Sequence, residues 1–262
     1  MKLSNGPLGV CGVAIMAKAS EPGKTKTRMV PPLTYQEASA FNTAFLQDVV
    51  SNILAAATYT SIGGYIAFGP PGSEMFFKDN LPAEIGLFEC WFQNFGDCLH
   101  NAIHQMLMRG HAMAIVLNSD SPTLPTSLLA EAVEVLTQPG ERAVLGPSQD
   151  GGYYLLGLKK NQRRLFEDID WSTQRVARQT LARAAEIGLQ THVLPTWYDV
   201  DDKTTLTRLK SELLHNQSFD RNLTPFCAPQ TTNLMRGLLA NDGFRNRLKW
   251  EPPFCSRVPS RD

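Results

Sequence analysis

Residues Leu8 to Met16 carry no charge and run straight into a loop, Ala17-Lys18-Ala19-Ser20-Glu21-Pro22-Gly23-Lys24-Thr25-Lys26-Thr27-Arg28, that holds four cations. A half-exposed strand alternates polar and apolar residues, whereas an unbroken apolar run reads as a strand buried on both faces. Pro22-Gly23 marks a turn, and the cations after it are separated only by threonines. A buried first strand that opens into a basic loop at its carboxyl end is where open α/β sheets place anionic ligands, phosphate above all. Read alone, the same run is equally a solvated charge run on a surface loop. Three acidic sites beside later strand ends shift the balance toward a binding site.

Apolar runs and amphipathic stretches alternate along the chain. Ala38, Phe41, Phe45, Val49 and Ile53 recur every three or four residues and predict a helix. Strands are expected at Ile62–Phe68, Leu87–Phe92, Ala112–Leu117, Ala143–Leu145, Tyr153–Leu158 and His192–Leu194. Helices are expected at Asp97–Arg109, around Leu128–Leu136, from Trp171-Ser172-Thr173 to Gly188, and at Leu206–Leu214. Ser172 or Thr173 is the expected N-cap of the third of these, and Gly188 its stop. The alternation implies a mostly parallel sheet flanked by helices. From about Asn216 onward the pattern dissolves, leaving one short helical candidate, Asn233–Leu239. The expected organisation is therefore one domain over residues 1–215 and a partly irregular C-terminal tail over 216–262, disordered or wrapped on the body.

The charge balance narrows the function. Lys plus Arg and Asp plus Glu both number 25 in 262 residues, so the net charge is zero. Nucleic-acid-binding domains carry a clear basic excess, so any anion recognition here must be local. No apolar run reaches the roughly 18 residues of a membrane span. Met1 to Gly9 shows no basic and apolar secretion signal. Five cysteines without CxxC spacing fit reduced thiols, so a cytoplasmic protein is expected. His100 and His104 lack the glutamate of HExxH, and no GxSxG, Walker A or GxGxxG motif occurs, which removes zinc proteases, α/β-hydrolases, P-loop enzymes and standard dinucleotide binders.

Three acidic sites can carry chemistry. Asp120 follows the apolar run Ala112–Leu117, and Ser121-Pro122 and Leu124-Pro125 keep its loop extended. A carboxylate there can bind Mg²⁺ or Mn²⁺, hard cations that bridge oxygen ligands to phosphates, or it can cap a turn. Asp199 and Asp201 project to one face if the segment is extended, and two like charges there favour a cation. Asp201 or Asp202 is also placed to cap the helix that follows. Asp150-Gly151-Gly152 lets the backbone approach a ligand, with Asp150 reaching a sugar hydroxyl or the metal, and is also an Asp-Gly hairpin turn. Tyr153, Tyr154 and Trp171 are candidates to line an acceptor pocket or simply to pack in the core.

Four ordered segments resemble a bacterial family of glycosyltransferase-A-type, nucleotide-diphospho-sugar transferase proteins, one branch of which is associated with arsenosugar biosynthesis. They are Met16 to Arg28, Asn118 to Pro125, Leu145 to Leu158, and Trp171-Ser172-Thr173. Cofactor-biosynthesis guanylyltransferases are similar in the basic loop and the Asp-x-Pro turn. The resemblance covers about residues 10–214. It implies a three-layer α/β/α, Rossmann-like fold with a nucleotide-binding N-terminal half and an acceptor-binding C-terminal half. It also implies a divalent metal on Asp120, with a second carboxylate from Asp199 or Asp201. The family's Gly-Asp-Leu-Gly-Glu-Arg-Met segment is replaced here by Gly96-Asp97-Cys98-Leu99-His100-Asn101-Ala102, so the Glu-Arg pair is missing.

The expectation is a metal-dependent transferase that moves a glycosyl group from a nucleotide-diphospho-sugar to a small acceptor. Lys18, Gly23, Lys24, Lys26 and Arg28, with Gly151 and Gly152, would form the nucleotide site, and Asp120 and Asp150 would be the catalytic carboxylates. The alternatives are a nucleotidyltransferase that consumes a nucleoside triphosphate and a phosphorylated acceptor, and a non-catalytic nucleotide-binding protein. Neither the acceptor nor the oligomeric state is legible in these residues.

Overall fold

The computed structural model describes residues 11–249. The secretion-signal window, the first residues of the opening apolar run and Cys255 lie outside them. Strand β1 (Cys11–Lys18) is as buried as its composition demands, and it pairs in parallel with β2 (Ile62–Gly69) on one side and β4 (Met113–Leu117) on the other. Its side chains alternate between two cores: Cys11, Val13, Ile15 and Ala17 enter one, while Ala14 and Met16 face the other. A strand with a core on each face has no position for a charge until its end, and Lys18 is that end.

The remaining strands are β3 (Gly86–Glu89), β5 (Arg142–Pro147), β6 (Tyr153–Leu158) and β7 (Gln190–Val193). The seven-stranded order is β3-β2-β1-β4-β6-β5-β7. Among the described strands only β6 runs antiparallel, against both β4 and β5, so the sheet is mostly parallel as expected. Helices α1 (Tyr35–Ala56), α4 (Thr126–Thr137), α6 (Lys203–His215), α7 (Pro229–Leu239) and α8 (Asp242–Lys249) supply the core on one face. Helices α3 (Phe95–Met108) and α5 (Val176–Glu186) cover the other, and the short α2 (Glu74–Asn80) lies before β3. The result is the three-layer α/β/α, Rossmann-like arrangement.

Helix starts follow their local chemistry. Thr34 and Glu37 cap α1 reciprocally, the Glu37 N–H donating to Thr34 Oγ1 at 3.2 Å and the Thr34 N–H to Glu37 Oε2 at 2.7 Å. Helix α5 differs from expectation: it begins at Val176, one turn beyond Ser172 and Thr173. Ser172 sits at φ 63°, outside the helical region, and Thr173 Oγ1 donates to the Asp170 carbonyl, so that tripeptide forms the approach to the helix. Strand β3 stops at Glu89, which leaves Trp91 and Phe92 in a loop and exposed instead of in a strand.

Beyond residue 216 the chain is irregular to Ala228 and then helical, with α7 starting at Pro229, earlier than the apolar spacing of Asn233–Leu239 indicates. Helix α7 packs on α1 through a buried carboxylate. Asp48, 0% exposed, accepts the N–H groups of Gln230 at 2.9 Å and Thr231 at 2.8 Å. The N-terminal amides of a helix lack internal acceptors, and a carboxylate at that end satisfies them. Met235, Phe244 and Leu248 bury their side chains in the same core, each worth about 1.5–3 kcal/mol. Arg247 closes the contact by donating to Glu37 and to the Pro32 carbonyl.

Candidate active site at the carboxyl ends of the strands

Three distant segments meet where β1 and β4 end. The basic loop leaves β1 and turns at Glu21–Thr25, where the Lys24 and Thr25 amides donate to the Glu21 carbonyl at 3.1 and 3.2 Å and Gly23 takes φ 80°. Asp120 follows β4, and its carbonyl accepts the Val200 N–H at 2.8 Å, which lashes the strand end to the segment before α6. Behind this junction Ser121 Oγ donates to the Tyr198 carbonyl, and the Tyr198 hydroxyl donates to Glu212 Oε2 at 2.6 Å. Hydrogen bonds thus tie the strand end to the segment before α6 within the protein itself.

Lys26 ties the three segments together. Its ammonium lies 2.8 Å from Asp120 Oδ1, 2.9 Å from Asp201 Oδ1 and 2.9 Å from the Val200 carbonyl, with its side chain 5% exposed. Three N–H donors meet three oxygen acceptors, so the charge is fully matched. Burial lowers the Lys26 pKa, but Asp120 and Asp201 overcome it and leave it raised. Burial likewise pushes Asp201 up, and Lys26 and Arg28 together hold it below the usual carboxylate range. The backbone of Lys26 sits in the left-handed region at φ 52°, a conformation costing about 1–2 kcal/mol for a side-chain-bearing residue. The ion pairs hold it there.

The other cations are differently placed. Lys24 pairs with Glu21 on the surface at 2.6 Å. Arg28 pairs with Asp201 Oδ2 while remaining largely exposed. Lys18 is directed over the Trp91 ring, and among the described residues it has no carboxylate partner. These groups border a cleft of about 360 Å³, lined by Lys18, Lys24, Lys26, Arg28, Asp120 and Asp201 together with an apolar wall. Of the residues expected to bind the nucleotide, these four cations are brought together. Gly23, Gly151 and Gly152 do not line the cleft.

The remaining carboxylates stand beside it. Asp202 is the helix cap: it accepts the Thr205 N–H at 2.8 Å and forms a capping box with that residue. Asp150 closes the hairpin between β5 and β6, its Oδ1 accepting the Gly152 N–H at 2.8 Å. Gly151, at φ 91°, is required by packing as well as by the turn, since a Cβ there would stand 2.2 Å from the Gln174 carbonyl oxygen. Burial, and then the charges of Asp150, Asp201 and Asp120, push the Asp199 carboxyl up to about 7. Tyr154 is fully buried and donates to the Pro195 carbonyl, and neither it nor Tyr153 lines the cleft. Trp171 packs against Gly96, where a Cβ would be 2.9 Å from its ring, and meets Phe95 edge-on at 5.5 Å. The Gly96-Asp97 and Trp171-Ser172-Thr173 segments therefore adjoin.

A divalent ion fits the donor chemistry. Asp120, Asp199 and Asp201 offer hard oxygens, and their mutual repulsion is relieved by a cation. Among the described residues no three His, Cys, Asp or Glu side chains are grouped to hold a metal by themselves. Mg²⁺ ordinarily needs only one or two carboxylates, completing its shell with phosphate and water. Asp201 is engaged by Lys26 and Arg28 and Asp120 by Lys26 alone, while Asp199, which does not line the cleft, has no ion-pair partner among the described residues. No described helix is long and apolar enough to cross a membrane. The described thiols Cys11, Cys90, Cys98 and Cys227 are free, and burial raises the pKa of Cys11 and that of Cys90, the latter to about 12.

The architecture and the position of the cleft define an α/β protein of the nucleotide-diphospho-sugar transferase fold. A protein from Desulfovibrio desulfuricans G20 named a putative nucleotide-diphospho-sugar transferase superposes with TM-score 0.76 at 23% identity, over 92% of this chain and 99% of that one. A CMP:2-keto-3-deoxy-manno-octonic acid synthetase complexed with CTP gives TM-score 0.52 at 11% identity, over 79% of this chain and 100% of the other. A cytidylyltransferase from Leptospira borgpetersenii serovar Hardjo-bovis gives 0.51 at 11%, over 94% of this chain and 100% of the other. Residues 53–173 match the family described as an uncharacterized protein conserved in bacteria, DUF2064. No curated protein matches the chain.

Trp91 and Phe95 were not singled out by the sequence patterns, yet both line the cleft. The signal that could have found Trp91 is its position at the carboxyl end of a short apolar run, where side chains of an open sheet face ligand.

Proposed function

We propose that this protein is a nucleotide-dependent transferase that moves a glycosyl group from a nucleotide-diphospho-sugar to a small acceptor. The observation that carries the reading is a cleft at the carboxyl ends of β1 and β4 that is lined together by Lys18, the exposed Arg28 and Asp120. Lys18 and Arg28 take the diphosphate, Arg28 being suited to a bidentate contact. Lys26 holds the loop and the two carboxylates in register. Mg²⁺ or Mn²⁺, held by Asp120 with Asp199, would supply charge neutralisation to the departing nucleoside diphosphate. Asp150, within electrostatic reach of Asp199, is the acceptor-side base in this proposal. The fold shared with the Desulfovibrio protein, named a putative nucleotide-diphospho-sugar transferase, supports the donor class.

Nucleotidyl transfer is the second reading, favoured by the fold shared with a synthetase complexed with CTP and with a cytidylyltransferase. The two differ in what leaves. Incubation with UDP-, GDP- and CDP-sugars, and separately with the four nucleoside triphosphates, each with pooled sugar phosphates and Mg²⁺ or Mn²⁺, separates them. Nucleoside diphosphate release supports glycosyl transfer, pyrophosphate release supports nucleotidyl transfer, and binding of none of these compounds refutes both.

A further inference from the structure

The cleft has a second half that the phosphate chemistry leaves unused. Besides the cations its lining holds an apolar set, Met16, Ala67, Cys90 and Cys98, together with the exposed aromatics Trp91 and Phe95. Trp91 is 46% exposed although tryptophan carries a large apolar surface. Its ring is nevertheless firmly seated. A Cβ on Gly69 would stand 2.0 Å from Cε3 of Trp91, so the indole lies directly against the backbone at the end of β2. The Cys90 N–H donates to the Phe68 carbonyl at 2.8 Å and fixes the residue before it to the same strand end. Lys18, the register partner of Gly69, holds its ammonium 5.3 Å from the centre of the ring.

We propose that Trp91, seated on Gly69 and flanked by Lys18, is the stacking platform for the nucleobase of a nucleoside diphosphate whose phosphates lie at Lys18 and Arg28. The inference rests on the nucleotide reading above and names the residue that turns phosphate recognition into nucleoside recognition. A rigid indole gives up little conformational freedom when a planar ring stacks on it. Lys18 links the two halves, since its ammonium lies over the Trp91 ring and also lines the cleft with Arg28. Every nucleobase has a π-face, so the platform recognises the ring by its faces and leaves selection among bases to other groups.

Calorimetric titration of the full chain in the presence of Mg²⁺ with UDP, GDP and inorganic pyrophosphate tests this, using Trp91→Ala, Trp91→Phe and Gly69→Ala. The last variant keeps the indole but displaces it from its seat. The wild type is expected to bind both nucleoside diphosphates more tightly than pyrophosphate. Trp91→Ala and Gly69→Ala should lose roughly 10-fold or more for UDP and GDP, the scale of one base–aromatic stack, while holding pyrophosphate within about 2-fold. Trp91→Phe, which keeps an aromatic face, should lose less than Trp91→Ala. The platform is overturned if Trp91→Ala binds UDP and GDP as the wild type does, or if it loses pyrophosphate in the same proportion. Equal wild-type affinity for pyrophosphate and the nucleoside diphosphates also overturns it while leaving the phosphate site standing. Wild-type protein that binds none of the three refutes the nucleotide reading itself.

Discussion

Replacing Lys26 by methionine separates a structural cation from a ligand-binding one. The side chain is 5% exposed and its ammonium meets Asp120 and Asp201 at 2.8 and 2.9 Å. Removing one partner of a buried ion pair costs about 3–5 kcal/mol, because the remaining charge stays buried without compensation. The carboxylates here are 29% and 23% exposed, so water reaches them and the low end, about 3 kcal/mol, is expected. For a chain of this size that lowers the melting temperature by about 6–12 °C. The loss depends on pH. Asp201 is held below the usual carboxylate range in the folded protein, so its contribution is present above the unfolded carboxylate pKa and disappears as pH falls through the folded one. The gap between wild type and Lys26→Met should therefore be full at pH 7.5 and narrow as pH falls below the ordinary carboxylate value of 3.8. Thermal melts by circular dichroism across that range provide the measurement. A variant that melts within about 2 °C of wild type at pH 7.5, yet no longer binds pyrophosphate, would show that Lys26 faces the ligand and that the three-segment clasp is not what holds the loop.

Lys18→Ala and Arg28→Ala should each weaken pyrophosphate and nucleoside diphosphate binding by about 1.5–3 kcal/mol, the scale of hydrogen bonds to charged groups, and leave a nucleoside without phosphates unaffected; equal losses in calorimetry for all three ligands would refute the phosphate assignment. Asp202→Ala should cost about 1 kcal/mol of stability as a lost helix cap while the ligand-induced rise in melting temperature survives; a lost ligand shift with unchanged stability would move Asp202 into the site. Burial raises the Asp48 carboxyl above its ordinary range despite the amides that it accepts, so the folded state holds its proton longer than the unfolded state and stability falls as pH rises through that window. Asp48→Asn should flatten this slope in melts between pH 4 and 7, and an unchanged slope would place its origin elsewhere.

The opening strand and the alternation after it were readable because burial on both faces leaves a one-dimensional trace: Val13 to Ala17 admit no charge, and Phe41, Phe45 and Val49 keep a helical period. Asp202 as a cap was legible for the same reason, since the N–H that it accepts, that of Thr205, lies three residues ahead. Trp171-Ser172-Thr173 misled because a hydroxyl residue before an apolar stretch resembles a cap, while Ser172 takes a positive φ that only its surroundings impose. The helical extension after residue 228 was underestimated because its support, Asp48, lies 182 residues from Gln230.

Local periodicity therefore dictated the layers and the strand ends, since those depend on each segment's own pattern of apolar and polar residues. The roles of the charged groups depended on partners far away in the chain. Nothing near Lys26 in sequence says that its ammonium is consumed by Asp120 and by Asp201, 175 residues on, or that Lys18 lies over Trp91 with no carboxylate partner among the described residues. A charge run states how many cations a loop carries. Only packing decides which are neutralised within the protein and which remain for a ligand, because Coulomb energy follows distance and burial, not sequence order.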